Sequence, residues 1–369
     1  MTAKLRAKDD VVAEPVDTVA RCVKFLVPDN LCHTLEELYP KALEAAREML
    51  KHRELHSSAD WPGLKCVVSK SLIAKYQRNL KCKEISHLVI PICGDKGKQV
   101  KLVSGGIRVY ALFKDAVIPA EFPWPVIGFI RGVEFFKRDG RWFMTVCVNT
   151  PCEKPTEVAG VVGVDRNSKG NVAVMADIQT GKVLKLGVDP AGTKKCFRGR
   201  RANLQSDGKF KLLEKTKRKQ SRRMTFENHK ASRTIVDYAA EHRCAIALED
   251  LSGVRKKGSK IKHSIEKNQW AFYQLGLFLK YKAALRGVPI VYVDPAYTSQ
   301  ACSRCGKIQK ANGKRYECSA CRHKEHRDAN AAFNIGRLGA EVVRASGSGS
   351  LSVLPLGSIG GPYAGKACA

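Results

Sequence analysis

The chain has 369 residues, 44% of them hydrophobic, with 65 Lys+Arg against 35 Asp+Glu and a net charge of +30 at pH 7. One hydrophobic core rarely grows past about 250 to 300 residues, so two or three domains are expected, and a basic excess of this size points to a polyanionic partner, nucleic acid first among them. No uninterrupted apolar run reaches the roughly 18 residues of a spanning helix, and the opening MTAKLRAKDDVVAEP lacks the apolar core of a secretory leader, so no membrane partner is expected.

Residues 1–18 are polar and mixed in charge and read as a flexible start. RCVKFLVP then reads as a strand and TLEELYPKALEAAREMLKHRELH as a helix, with apolar residues at helical spacing. The helical pattern is expected to last to about residue 92 and to include SKSLIAKYQRNLK. From about 97 to 150 the chain alternates apolar and polar residues between Gly, Asp-Gly and Pro breaks, the pattern of antiparallel hairpins, with RDGR as a tight turn.

A second unit follows the polar break CEKPTE. VAGVVGVD, NVAVMADI and KVLKLGV, separated by RNSKG and QTG, predict a three-stranded meander. Residues 194–233 carry 15 Lys/Arg against Asp207, Glu214 and Glu227, an excess that suits contact with a nucleic-acid backbone better than a merely solvated helix pair. HKASRTIVDYAAEH continues as helix into a fourth strand, CAIALEDL. RKKGSKIK is a basic loop, and IEKNQWAFYQLGLFLKYKAALRG is a long helix capped by Gly287. On that helix Trp270, Phe272 and Tyr273 read as core-facing, with base stacking as the minority role for one of them. PIVYVDP is a fifth strand, RDANAAFNIGRL a last helix, and the Gly/Ser/Pro-rich 345–369 a flexible tail.

Three acids hold special places in this order. Asp165 ends the first strand of the meander, Glu249 ends the fourth strand, and Asp328 opens the last helix. Sheets bring strand ends together across long sequence gaps, so the three can share one edge. Clustered carboxylates repel one another unless a cation is present, and hard oxygen donors favour Mg2+ or Mn2+. Two such ions suit phosphodiester hydrolysis. Singly, Asp165 also reads as a turn former and Asp328 as a helix-start acid. Glu249 alternates with apolar residues while Asp250 points to the other face.

Ten of the 14 cysteines occur singly, which suits a reducing compartment and an intracellular protein. The other four, Cys302, Cys305, Cys318 and Cys321, form two C-x2-C pairs, the spacing of a closed tetrahedral zinc site with a structural role. His323 and His326 follow closely. A four-thiolate site needs neither, so surface or nucleic-acid contacts are assigned to them.

GVDRN around Asp165, ALEDL around Glu249, YTSQACSRCG before the zinc knuckles and HRDANAAFNI around Asp328 resemble the RuvC motifs and inserted zinc finger of TnpB, the transposon-associated RNA-guided nuclease family related to type V CRISPR effectors. The resemblance covers about residues 158–340. It implies an α/β fold: an RNase H-like (RuvC) nuclease domain over 158–344 with a zinc finger at about 298–325. Before it would lie a β-barrel-like wedge domain over 19–157 with a helical recognition insertion at about 36–92. It also implies a guide RNA, a double-stranded DNA target read beside a short motif, and two Mg2+ (or Mn2+) ions held by Asp165, Glu249 and Asp328 as catalytic residues. Asn330 would be a helper near the site. Such a protein would work in a prokaryotic cytoplasm, on the nucleoid when bound to DNA.

The sequence departs from the family where His326 replaces an acid two residues before Asp328, and where GVDRN lacks an apolar continuation. Two other readings stay open: a non-catalytic RNA-guided DNA-binding protein, and an unguided RuvC-like nuclease or resolvase. All three acids are retained, against the first. The N-terminal half and the zinc insertion argue against the second.

Overall fold

The computed structural model describes residues 18–216, 219–251 and 262–347, with only the backbone of 262–272. The flexible start, most of the basic loop RKKGSKIK, nearly all of the C-terminal tail and the side chains of Trp270 and Phe272 lie outside the described residues. The chain divides into two compact units, Asp17–Pro151 and the chain from Cys152 onward.

The first unit contains β1 (Thr18–Leu26), α1 (Asp29–Lys51), α2 (Cys66–Leu72), β2 (Ile90–Cys93), β3 (Val100–Val103), β4 (Gly106–Val109), α3 (Tyr110–Phe113), β5 (Val117–Pro119), β6 (Ile127–Arg138) and β7 (Arg141–Pro151). These strands form an antiparallel four-stranded sheet in the order β1-β7-β6-β2 and a three-stranded sheet β3-β4-β5. The RDGR turn joins β6 to β7 with Asp139 and Gly140 both at positive φ, 50° and 77°, the geometry that lets a two-residue turn follow strand twist. Helix α1 docks through Glu36, which accepts from Trp142 Nε1 at 2.8 Å and Lys137 Nζ at 2.6 Å.

The expected helical stretch to residue 92 is broken. Helix α1 starts earlier, at Asp29, and runs through Pro40, while Ile90–Cys93 is a strand paired with β6. The apolar run HLVIPIC is too short for its period to separate a buried strand from a helix.

The second unit contains β8 (Gly160–Arg166), β9 (Ala173–Asp177), β10 (Val183–Leu186), α4 (Pro190–Ser206), α5 (Phe210–Thr216), α6 (Lys219–Glu241), β11 (Cys244–Glu249), α7 (Lys262–Leu285), β12 (Ile290–Val293), β13 (Arg315–Glu317), β14 (Lys324–His326) and α8 (Arg327–Ala345). Its five-stranded sheet has the order β10-β9-β8-β11-β12. The expected meander is present, with β8, β9 and β10 antiparallel, and β11 lies parallel to both β8 and β12. Gly287, at φ 59°, ends α7 as expected. No described helix is long and apolar enough to cross a membrane.

Strand periodicity sorts the sheet into two faces. Val162, Val164, Ile246 and Leu248 pack with Ile235 of α6 and Leu275 and Leu279 of α7. Val161, Ala245, Ala247 and Val291 pack with Ala332, Phe333 and Ile335 of α8. Helix α8 comes unusually close because small residues meet there. A Cβ on Gly163 would lie 1.9 Å from the Ala332 carbonyl oxygen and 2.3 Å from the Gly336 nitrogen. That contact lays α8 flat against β8 and sets where its first residues end.

Candidate metal and nucleic-acid sites

The same alternation orients two of the three acids. Asp165 follows Val164 and Glu249 follows Leu248, so both carboxylates point to the α8 face. The parallel ladder between β8 and β11 runs to Val164 and Leu248, which leaves the two acids side by side at its end. Asp328 sits in the first turn of α8 and is 1% exposed. His326 is the N-cap there, its Nδ1 accepting from the Asp328 amide at 3.3 Å. The structure gives His326, which is partly exposed, a capping role.

Asp165 feels both of the other carboxylates. Burial first, then the charges of Glu249 and Asp328, push the Asp165 carboxyl well above the usual range, while the Asn167 amide and Lys314 pull it back. Burial also raises Glu249, offset by the Thr298 hydroxyl and by Arg166. Each acid has a polar partner: Asn167 Nδ2 donates to Asp165 at 3.1 Å, Thr298 Oγ1 donates to Glu249 Oε1 at 2.6 Å, and Lys314 Nζ lies 2.5 Å from Asp328 Oδ2. Oxygen donors on three separate elements, with two carboxyls disfavoured as anions in the bare protein, fit a hard divalent cation. Neither Thr298, Asn167 nor Lys314 was singled out from sequence. Each is a common residue whose position matters only once the sheet edge exists.

The four cysteines are brought together. Their Sγ atoms all lie within 4.8 Å of one another, and among the described residues they are the group of three or more potential ligands that closes to this distance. The pairs Cys302–Cys321 at 3.7 Å and Cys305–Cys318 at 3.5 Å match the edge of a tetrahedron with metal–sulfur bonds of about 2.3 Å. Cys318 is driven down to about 6: burial raises it, but backbone N–H groups and the neighbouring thiols outweigh that. Cys302 is pushed up to about 12, mainly by burial. The donor set fits zinc. Tyr316, fully buried, packs with Cys302 and Cys318 as a small core of the finger.

The finger is joined to the acids by two side chains and to α8 by two more. Thr298, on its entry segment, holds Glu249, and Lys314, between the two knuckles, holds Asp328. Asn330 of α8 accepts from the Ser303 amide at 2.8 Å and donates to the Ala301 carbonyl at 2.7 Å, and Asn334, one turn on, donates to Thr298 and Ala301 carbonyls at 2.8 and 2.7 Å. Asn330, expected as a helper near the site, is thus a fully buried tether between helix and finger. His323 is half-buried, its Nε2 3.3 Å from Ser303 Oγ, and so also belongs to the finger's frame.

Basic side chains gather on α4 to α6. Helix α4 buries no residue completely, and Lys195, Arg198, Arg200, Lys211 and Lys215 are exposed along it and α5. Phe210 and Phe226, 64% and 63% exposed, stand among these charges. Tyr273 of α7 is 52% exposed, against the expectation of a core-facing ring.

A family model described as Cas12f1-like, TNB domain, matches residues 272–335, a span that holds all four cysteines and Asp328. The chain is 36% identical over 141 residues to the CRISPR-associated endodeoxyribonuclease Cas12f1 of Sulfoacidibacillus thermotolerans, covering 37% of this chain and 32% of that protein. The chain is related to the TnpB and Cas12f proteins. A TnpB-like protein of Methanocaldococcus jannaschii is 31% identical over 134 residues, 36% of this chain and 48% of the relative. The CRISPR-associated endodeoxyribonuclease Cas12f2 of a Micrarchaeota archaeon is 28% identical over 296 residues, 66% and 53%. The chain thus spans between about a third and a half of the length of these TnpB and Cas12f relatives.

Proposed function

We propose that the chain is an RNA-guided DNA endonuclease that binds a guide RNA, reads a short motif beside its double-stranded DNA target and hydrolyses phosphodiester bonds at Asp165, Glu249 and Asp328. The observation that carries this reading is geometric: Asp165 and Glu249, at the neighbouring ends of β8 and β11, point to the face covered by α8, where Asp328 lies buried in the first turn. The strand order β10-β9-β8-β11-β12 with a parallel β8-β11-β12 half supports an RNase H-like domain over 158–344. The antiparallel sheets of the first unit are assigned to a barrel-like wedge over 19–157, and the stretch around 36–92 to recognition.

Two Mg2+ (or Mn2+) ions, when bound, supply an activated water and stabilise the leaving oxygen. The chain's own part is to hold the donors. Strand ends fix Asp165 and Glu249, α8 fixes Asp328, and Thr298 and Asn167 hold two of the carboxylates in place. A structural Zn2+ on Cys302, Cys305, Cys318 and Cys321 keeps the finger folded, so that Thr298 and Lys314 stay on the acids. The exposed basic side chains of α4 and α5 neutralise phosphates, and Phe210 and Phe226 offer faces on which bases can stack. The setting is a prokaryotic cytoplasm.

The test is to express the chain with its native flanking DNA, sequence the RNA that co-purifies, and measure Mg2+-dependent cutting of a matching DNA library, with Asp165→Ala as control. Guide-matched cutting lost in the control supports the proposal. A defined RNA without cutting selects the binding-only reading, and cutting without RNA selects the unguided nuclease.

A further inference from the structure

Arg166 is the residue after the first acid, and strand alternation turns it to the opposite face from Asp165, toward α7. There its Nη2 donates to the main-chain oxygen of Glu249 at 2.7 Å. This bond stands just past the last ladder pair of β8 and β11, Val164 with Leu248. On the far side of Glu249, the Asp250 amide donates to the Val293 carbonyl at 2.8 Å. The backbone that aims the Glu249 side chain is therefore held at its own carbonyl by one guanidinium.

That guanidinium lies against a gap in α7. A Cβ on Gly276 would come within 2.7 Å of Arg166 Nη1. Glycine inside a helix is destabilising relative to alanine, and its neighbours Leu275 and Leu279 are fully buried against the sheet. With those anchors fixed, a methyl at 276 must displace either the helix or the arginine. The bond from Nη2 to the Glu249 carbonyl holds the guanidinium in this slot.

We propose that Arg166 and Gly276 form a lock between α7 and the carboxylate edge, with Arg166 as a positioning residue that sets the direction of Glu249 and Gly276 as the keyhole that admits it. The proposal rests on the reading of Asp165, Glu249 and Asp328 as divalent-metal ligands. It adds a way for the position of α7 to reach the metal site without touching it.

Binding of Mn2+ alone to the purified full chain, followed by electron paramagnetic resonance, separates the possibilities by sign. Removing a positive charge near a cation site tightens binding if charge is all that Arg166 contributes. Losing an outer-layer positioning contact weakens it, commonly about tenfold or more. Arg166→Gln, Arg166→Lys and Gly276→Ala are each expected to weaken Mn2+ binding about tenfold, although the second keeps the charge and the third never alters it. In the Arg166→Gln background the shorter side chain clears the slot, so adding Gly276→Ala should cost nothing more.

Tighter binding in Arg166→Gln, additive losses in the double variant, or unchanged affinity in Gly276→Ala each overturn the lock. If Arg166→Gln fails to fold, the Gly276→Ala result decides alone. Failure of the underlying reading looks different: the parent chain then shows no Mn2+ signal that Asp165→Asn removes.

Discussion

Lys314 Nζ lies 2.5 Å from Asp328 Oδ2, so a lysine from between the zinc knuckles pairs with a carboxylate whose side chain is 2% exposed. The same ammonium donates to the Lys169 carbonyl at 3.2 Å, in the turn that follows Asp165. Arg327 Nε is the second cation on Asp328, at 3.4 Å. Lys314 therefore joins the finger to both ends of the carboxylate site. Its side chain is 37% exposed, so water screens the pair and its loss should cost only about 1–2 kcal/mol. Lys314→Ala is expected to lower the melting temperature by a few degrees and to slow cutting more than it weakens DNA binding. Unchanged melting and unchanged cutting would remove Lys314 from the account.

The finger connects to the site through Thr298, Lys314, Asn330 and Asn334, so under the proposed function zinc on the four cysteines would be an indirect requirement for cutting. Cys305→Ser removes one of four ligands. Zinc content measured by mass spectrometry should fall from one ion per chain toward zero, with melting temperature and cleavage rate falling together. Full stability with full activity would show that the finger does not position Asp328 and Glu249.

Asp165 gives a pH test. Its carboxyl in the folded chain titrates above the ordinary value, so the folded protein keeps this proton to higher pH than the unfolded chain. From about pH 4, the ordinary carboxylate value, up to the raised folded value, increasing pH favours unfolding, and above that value the penalty is complete. In metal-free buffer at pH 8, Asp165→Asn should therefore melt a few degrees above the parent, and the gap should close as pH falls to about 4. Adding Mg2+ should raise the parent's melting temperature and leave the variant's nearly unchanged. A variant that melts below the parent at pH 8 would contradict this.

Much of the second unit was legible because its signals are local. VAGVVGVD and CAIALEDL are apolar runs of strand length, Gly287 marks the end of α7, and the doubled C-x2-C spacing brings four thiols to one place. Asp165 and Glu249 could be placed because each closes the apolar run of its strand. The residues that hold the acids could not: Arg166 and Gly276 are 110 positions apart, and Lys314 and Lys169 are 145 apart. Nothing in a linear pattern announces such contacts. The motif around Asp328 suggests a helper role near the site for Asn330, but only helix geometry shows that its amide turns toward Ala301 and Ser303. In the first unit, Ile90–Cys93 is too short to show a strand period of its own.

The measurement that tests the central claim most directly is single-turnover DNA cutting by the RNA-bound protein in Mg2+, for Asp165→Ala, Glu249→Ala and Asp328→Ala separately and in pairs. If the three carboxylates act as one metal-dependent site, each single variant keeps its RNA and its DNA binding but loses about a thousandfold or more in rate, and pairs lose no more than singles. A single variant that still cuts within about tenfold of the parent would contradict that claim.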